Sequence, residues 1–214
     1  MVMVKICGIT REKDLEAAVD AGADSLGFVV EVHSSPRNLS LPMARSLVAK
    51  VPRNVNNVAV TICENINRLK QTYRELKLDY LQLHGDLRQI LELPYEIERD
   101  RVIVAVNARA TNAFDVAAEF SGIFRFVLLD TAGDGGLGGT GMVHDWHSSR
   151  RIRNKIHPAH LILAGGLTPR NVGEAIRVVK PYGVDVSTGV EKKPGIKDHE
   201  KMREFVAKAK EAKL

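Results

Sequence analysis

Leu161-Ile162-Leu163-Ala164-Gly165-Gly166-Leu167-Thr168-Pro169 leads, through a helical pattern reaching Val179, to Val184-Asp185-Val186-Ser187-Thr188-Gly189-Val190. This stretch holds one complete βα unit and the strand of the next. Leu161 to Ala164 is a short apolar run bounded by glycines, which reads as a buried strand. Thr168-Pro169 opens the helix, with proline in the first turn where its missing N–H breaks no helical bond. Val184 to Val186 is the following strand. Both strands run into turns of glycine and hydroxyl residues. Glycines let backbone N–H groups approach an anion closely, and a helix N-terminus adds a favourable dipole.

The same unit recurs towards both ends of the chain. Val2 to Ile6 is a first strand; its helix is expected to take Thr10 as N-cap, Glu12 and Asp14 in the first turn, and Gly22 as its stop. Ser25 to Val30 is the second strand, followed by a helix capped by Ser40 with Pro42 in its first turn. Val55 to Ile62 precedes a helix over Ile66 to Leu76, and Tyr80 to Leu83 precedes a short one around Leu87 to Leu91. Arg101 to Val106 is the fifth strand, with a helix from about Asn112 to Phe120. Phe124 to Leu129 is the sixth, followed by a glycine-rich run from Gly133 to Gly141 and a helix between Trp146 and Lys155. Asp198 caps a last helix reaching the carboxyl end. Strict βα alternation predicts a parallel sheet with helices outside, and eight units predict a single (βα)8 TIM barrel spanning residues 1–214 as one catalytic domain. An open doubly wound sheet shares this local pattern and is the alternative.

With 44% hydrophobic and 27% charged residues, the composition is that of a globular protein, not of a fibre or a disordered chain. The net charge of +5 suits a basic surface or the steering of a small polyanionic substrate. With only 5% aromatics and no basic stretch interleaved with them, nucleic acid is not expected as a partner. Two cysteines, Cys7 and Cys63, do not make a disulfide framework. No apolar run approaches the length of a membrane span or a leader, so a cytoplasmic location is expected.

In such a barrel the active site lies at the C-terminal ends of the strands. Cys7-Gly8, His33 to Arg37, Cys63, Gln82 to His84, Asn107, Asp130, Gly165-Gly166 and Ser187 to Gly189 fall there. Among them are one thiol and one carboxylate placed for chemistry. Two turns, Gly165-Gly166 and Ser187-Thr188-Gly189, fall in the units that usually bind phosphate in this fold. A lone cysteine is more often a small buried hydrophobe, and that reading is kept for Cys63. Strand periodicity places Lys5 on the inward face with Cys7, and Asp185 on one face with Ser187. Because strands one and eight adjoin in a closed barrel, Lys5 is expected to pair with an acidic partner beneath the site, Asp185 being the leading candidate; the alternative is that Asp185 binds substrate directly or faces a loop while Lys5 extends to the far barrel end.

Several blocks in order resemble the phosphoribosylanthranilate isomerase family. They are Lys5-Ile6-Cys7-Gly8-Ile9-Thr10, Ser35-Pro36-Arg37, Leu81-Gln82-Leu83-His84-Gly85, Leu128-Leu129-Asp130, Gly138-Gly139-Thr140-Gly141, Asp145-Trp146, Ala164-Gly165-Gly166-Leu167 and Val184 to Glu191. The resemblance implies an Amadori rearrangement of N-(5′-phosphoribosyl)anthranilate in tryptophan biosynthesis. It implies Cys7 as general base, in surroundings that favour its thiolate, and Asp130 as general acid with a pKa raised by burial. Arg37 resembles the residue that binds the anthranilate carboxylate, for which a guanidinium fork is suited. His84 is a substrate contact or a structural hydrogen bond, and Gly165, Gly166, Ser187, Thr188 and Gly189 would hold phosphate. No metal and no cofactor is implied, and the partner is the phosphorylated substrate, taken by a monomer or homodimer. Departures are His144 before Asp145, Thr188 in place of a commoner serine, the glycine-rich run, and Asn107, for which no family match is evident. The related ribosyl isomerase of histidine biosynthesis uses an aspartate on strand one, and Cys7 stands against it. A non-catalytic phosphoribosyl-binding barrel would need the phosphate turns but neither Cys7 nor Asp130.

Overall fold

Eight parallel strands close on themselves in the computed structural model, which describes residues 1–62, 66–85, 90, 91, 93, 97–131 and 143–212. They are β1 (Met3–Cys7), β2 (Ser25–Val30), β3 (Asn56–Ile62), β4 (Tyr80–His84), β5 (Val102–Asn107), β6 (Phe126–Asp130), β7 (His160–Leu163) and β8 (Gly183–Val186). Each strand pairs with the next, and β1 pairs with both β2 and β8, which closes the barrel and rules out the open sheet. A two-residue strand, Asn38–Leu39, lies outside β2, and Glu191–Lys193 pairs antiparallel with Ile196–Lys197 in a short hairpin.

The helices among the described residues are α1 (Glu12–Asp20), α2 (Leu41–Val48), α3 (Ile66–Leu76), α4 (Ala113–Ser121), α5 (Trp146–Ile156), α6 (Val172–Val179) and α7 (His199–Glu211). In α6, Val172, Ala175, Ile176 and Val179 recur at helical spacing and are buried. Burying an aliphatic side chain of that size contributes about 1.5–3 kcal/mol, so an aspartate at Ile176 would detach the helix from the barrel. Lys180 ends α6 in the left-handed region (φ 51°), and Pro181 cannot continue it.

Alternation along the strands divides the apolar side chains into two layers. One layer, including Val4, Ile6, Leu26 and Leu129, packs outward beneath the helices. The other, including Val58, Val60, Ile103, Leu128 and Ile162, fills the barrel interior below Cys7.

Two expected helix starts are corrected. Thr10 is not the cap of α1; Arg11 occupies that position, and the Thr10 hydroxyl instead donates to the Gly195 carbonyl at 2.5 Å. The seventh-unit helix begins at Val172, because Thr168-Pro169 lies in a turn where Thr168 N–H donates to Asn171 Oδ1 at 2.8 Å. Ser40 and Asp198 do stand at the caps of α2 and α7. The helix expected around Leu87 to Leu91 and the glycine-rich run from Gly133 to Gly141 lie outside the described residues.

Candidate active site

Cys7 ends β1 and Asp130 ends β6, so both side chains reach the C-terminal mouth of the barrel. Two adjoining cavities occupy that mouth. The larger, about 260 Å³, lies between the Gly165-Gly166 turn, the Ser187 to Gly189 turn and Asp130. The smaller, about 70 Å³, is walled by Cys7, Arg37, Gln82, His84 and Ser35. Asp130, Asp185 and Ser187 border both cavities and form the seam between them. A ligand with an anionic group at one end and a ring at the other would therefore place its middle against Asp130.

The larger cavity has the form of an anion cradle. Gly165 and Gly166 both have positive φ (79° and 65°), which turns the chain sharply after β7. The second turn packs directly on the first. A Cβ on Gly189 would lie 1.9 Å from the Leu167 carbonyl oxygen, so only glycine lets the two turns meet. Ser187 and Thr188 add hydroxyls beside these backbones.

Lys5 and Asp185 face each other across β1 and β8, in register, and Lys5 Nζ donates to Asp185 Oδ1 at 2.9 Å. The Lys5 side chain is 0% exposed. Burial alone would lower the lysine pKa, but the Asp185 and Cys7 side chains outweigh it and hold Lys5 above its ordinary value. The expected pair is therefore present, with its carboxylate member also lining both cavities.

Asp130 accepts the Thr131 N–H at 2.7 Å. Burial, with the nearby Asp185 charge adding to it, pushes the Asp130 carboxyl up to about 6. Cys7 behaves differently from the expectation that its surroundings favour the thiolate. Burial pushes the thiol above its ordinary value, and the pull of Lys5 in the other direction is too weak to reverse that. Cys7 is buried in a cluster with apolar side chains that include Val29, Val60 and Leu128, and their desolvation of the thiol outweighs the ammonium below it.

His84 and Gln82 point inward from β4, and the Gln82 amide Nε2 lies 2.9 Å from His84 Nε2. An amide nitrogen can only donate, so in this arrangement His84 Nε2 accepts and the ring proton sits on Nδ1. Burial first, and the Lys5 charge second, lower His84 to about 4, so the ring is neutral. Gln82 Oε1 has no partner among the described residues and borders the smaller cavity. Sequence reasoning had passed over Gln82 as a group able to receive a ligand donor; its place in a period-two pair with His84 was the available signal.

Arg37 reaches the mouth from the loop after β2 and lines the smaller cavity. It is not an open fork, however. Its Nε donates to Glu191 Oε1 at 2.8 Å and its Nη2 to Glu191 Oε2 at 2.6 Å. Glu191 was quoted above only as the end of a motif, and Lys197 was not singled out at all. Asn107 makes a local turn, accepting the Arg109 N–H at 3.0 Å through Oδ1, and pairs in register with Asp130. His144 Nε2 lies 2.7 Å from Ser149 Oγ at the start of α5, away from Cys7 and Arg37 in the contacts it makes. Cys63 lies outside the described residues.

The fold and the placement of these groups define a (βα)8-barrel enzyme whose polar side chains gather at one mouth. Residues 4–208 match the family model described as N-(5′-phosphoribosyl)anthranilate isomerase. A relative of that name from Methanothrix thermoacetophila is 47% identical over 212 residues, covering 98% of this chain and 99% of its own. The chain belongs to the N-(5′-phosphoribosyl)anthranilate isomerase family. Among solved structures, the phosphoribosylanthranilate isomerase of Thermotoga maritima is similar with a TM-score of 0.86 at 36% identity, covering 98% of this chain and 99% of that one. A member solved with reduced 1-(o-carboxyphenylamino)-1-deoxyribulose 5-phosphate gives a TM-score of 0.82 at 34% identity, with the same coverage. Monomers generated from the dimeric Thermotoga maritima protein give 0.83 at 34% identity, again covering 98% and 99%.

Proposed function

We propose that this chain converts N-(5′-phosphoribosyl)anthranilate to 1-(2-carboxyphenylamino)-1-deoxyribulose 5-phosphate, as a single catalytic domain in the cytoplasm, acting as monomer or homodimer. Its partner is this small phosphorylated molecule, with no role for nucleic acid. The observation that carries the reading is the seam between the cavities. A carboxyl titrating at about 6 sits there, between an anion cradle on one side and a thiol and guanidinium on the other.

The phosphate sits against Gly165, Gly166 and Ser187 to Gly189, and the ring carboxylate sits at Arg37. The ribose then spans the seam. Asp130 gives its proton to the furanose ring oxygen as the C1′–O bond breaks, and the anilino nitrogen lone pair forms the iminium. Cys7 removes the C2′ proton; that electron pair makes the C1′–C2′ double bond and neutralises the nitrogen. The enolamine then ketonises, and no net proton is consumed. A thiolate with a protonated carboxyl holds as many protons as a thiol with a carboxylate. The reactive form is therefore reached by moving one proton between Cys7 and Asp130, without changing the total charge.

The test is the loss of phosphoribosylanthranilate fluorescence on adding purified protein. No acceleration over the buffer rate would refute the reading, and acceleration that persists undiminished in Cys7→Ser would remove Cys7 from it.

A further inference from the structure

The carboxylate of Glu191 collects donors from three residues: Arg37 in the loop after β2, and Gly195 and Lys197 in its own hairpin. Besides the two bonds from Arg37, Lys197 Nζ donates to Oε1 at 2.9 Å and the Gly195 N–H donates to the same oxygen at 3.4 Å. The Glu191 side chain is 4% exposed and that of Lys197 is 0% exposed. Lys197 Nζ also donates to the Ser187 carbonyl at 3.2 Å and to Ser187 Oγ at 3.3 Å. Three acceptors thus meet the three donors of one ammonium. Neither Glu191 nor Lys197 borders the cavities, whereas Arg37 and Ser187 do.

We propose that Glu191 and Lys197 are positioning residues that fix Arg37 for the ring carboxylate and tie it to the phosphate turn. This rests on the reading of Arg37 given above. A guanidinium has five N–H groups. Nε and Nη2 are committed to Glu191 and to Thr188 Oγ1, the latter at 3.1 Å, and among the described residues the two Nη1 N–H groups carry no hydrogen bond. The arginine stem is pressed onto the rim: a Cβ on Gly8 would lie 2.6 Å from Arg37 Cδ and 2.9 Å from Ser187 Oγ. The fork is therefore held by one edge and offers the other.

Charge explains why a lysine is buried here. A carboxylate that locks an arginine also cancels its attraction for an anionic ligand. Lys197 supplies a second positive charge to the same carboxylate, so the cluster of Arg37, Glu191 and Lys197 retains a net positive charge for the ring carboxylate. The ammonium also sits on Ser187, so the two anionic ends of the substrate meet parts of one connected network.

The experiment compares kcat/KM for the natural substrate with that for the analogue lacking the ring carboxylate, N-(5′-phosphoribosyl)aniline, on the same enzyme preparation. The ratio cancels the fraction of folded enzyme, so partial unfolding cannot imitate the result. Glu191→Gln and Lys197→Met are each expected to lower this ratio about tenfold or more, mostly through KM of the natural substrate. In an Arg37→Ala background neither substitution should lower it further, because both act through that guanidinium. If Arg37→Ala lowers the ratio but Glu191→Gln and Lys197→Met leave it unchanged, the positioning role is overturned while the reading of Arg37 stands. If Arg37→Ala itself leaves the ratio unchanged, both fall.

Discussion

Replacing Asp130 by asparagine should destroy activity and stabilise the fold, with a pH dependence that identifies the cause. In the native protein this carboxyl titrates at about 6 instead of its ordinary 3.8, first because it is buried and then because Asp185 is near. At about 1.4 kcal/mol for each tenfold change in proton affinity, holding it ionised costs the fold at most about 3 kcal/mol. A raised carboxyl favours the folded state while protonated, and that advantage is lost as pH rises from about 4 through about 6. Asparagine keeps the acceptor for the Thr131 N–H but never carries the charge. Urea unfolding of the two proteins should therefore coincide below pH about 4, diverge up to pH about 6, and stay apart above it, the variant being more stable by about 2–3 kcal/mol. In a chain of this size that is roughly 5–10 °C in Tm. Turnover at neutral pH should fall by roughly 10²-fold or more, since a positioned acid is lost. A stability difference that does not change between pH 4 and pH 7 would refute the argument that burial of this charge is what raises its pKa.

Cys7→Ser should fold normally and lose most turnover, roughly 10²- to 10⁴-fold in the fluorescence assay; a near-normal rate would exclude the thiol as base. The profile of kcat/KM against pH should fall below about 6, where a second proton reaches the Cys7–Asp130 pair, and hold level from there up to the raised thiol value. An acid limb centred instead near about 4, the ordinary carboxylate range, would contradict the Asp130 assignment. Lys5→Met leaves the Asp185 carboxylate buried without its partner and should cost about 3–5 kcal/mol in urea unfolding, with much of that recovered when Asp185→Asn is added. Arg37→Ala should raise KM strongly with a smaller effect on kcat; a change in stability alone would make this arginine structural.

Elements carried by local pattern were legible in the residues. Ser25 to Val30 and Ile66 to Leu76 have the expected bounds, because an unbroken apolar run and a helical stripe depend on near neighbours. The Lys5–Asp185 pair was also legible, since period two along two strands and barrel closure together leave little freedom. The cap of α1 was misread because the Thr10 hydroxyl spends itself on a carbonyl 185 positions away. Arg37 was expected at the barrel mouth and lines a cavity there, but its lock on Glu191 spans 154 positions between loops that have no periodicity to register them. The direction of the Cys7 shift was missed for a related reason. Strand-end position says that a thiol can meet a ligand, whereas its proton affinity depends on the desolvation supplied by several strands together.

The bond between Lys5 and Asp185 also constrains the order of folding. Its partners are 180 positions apart, so a growing chain exposes the lysine long before the aspartate is synthesised. Until β8 docks, an ammonium on the inner face of β1 has no compensating charge, and packing that strand into an apolar interior would be costly. Burial of the first strand is therefore favoured once the last is in place to pair with its lysine. Assemblies that bury β1 without β8 carry that charge unpaired, and the native pairing of the two strands removes the penalty. The same closure sets the thiol of Cys7, two residues beyond the lysine on that strand, into the wall of a cavity it shares with Asp130.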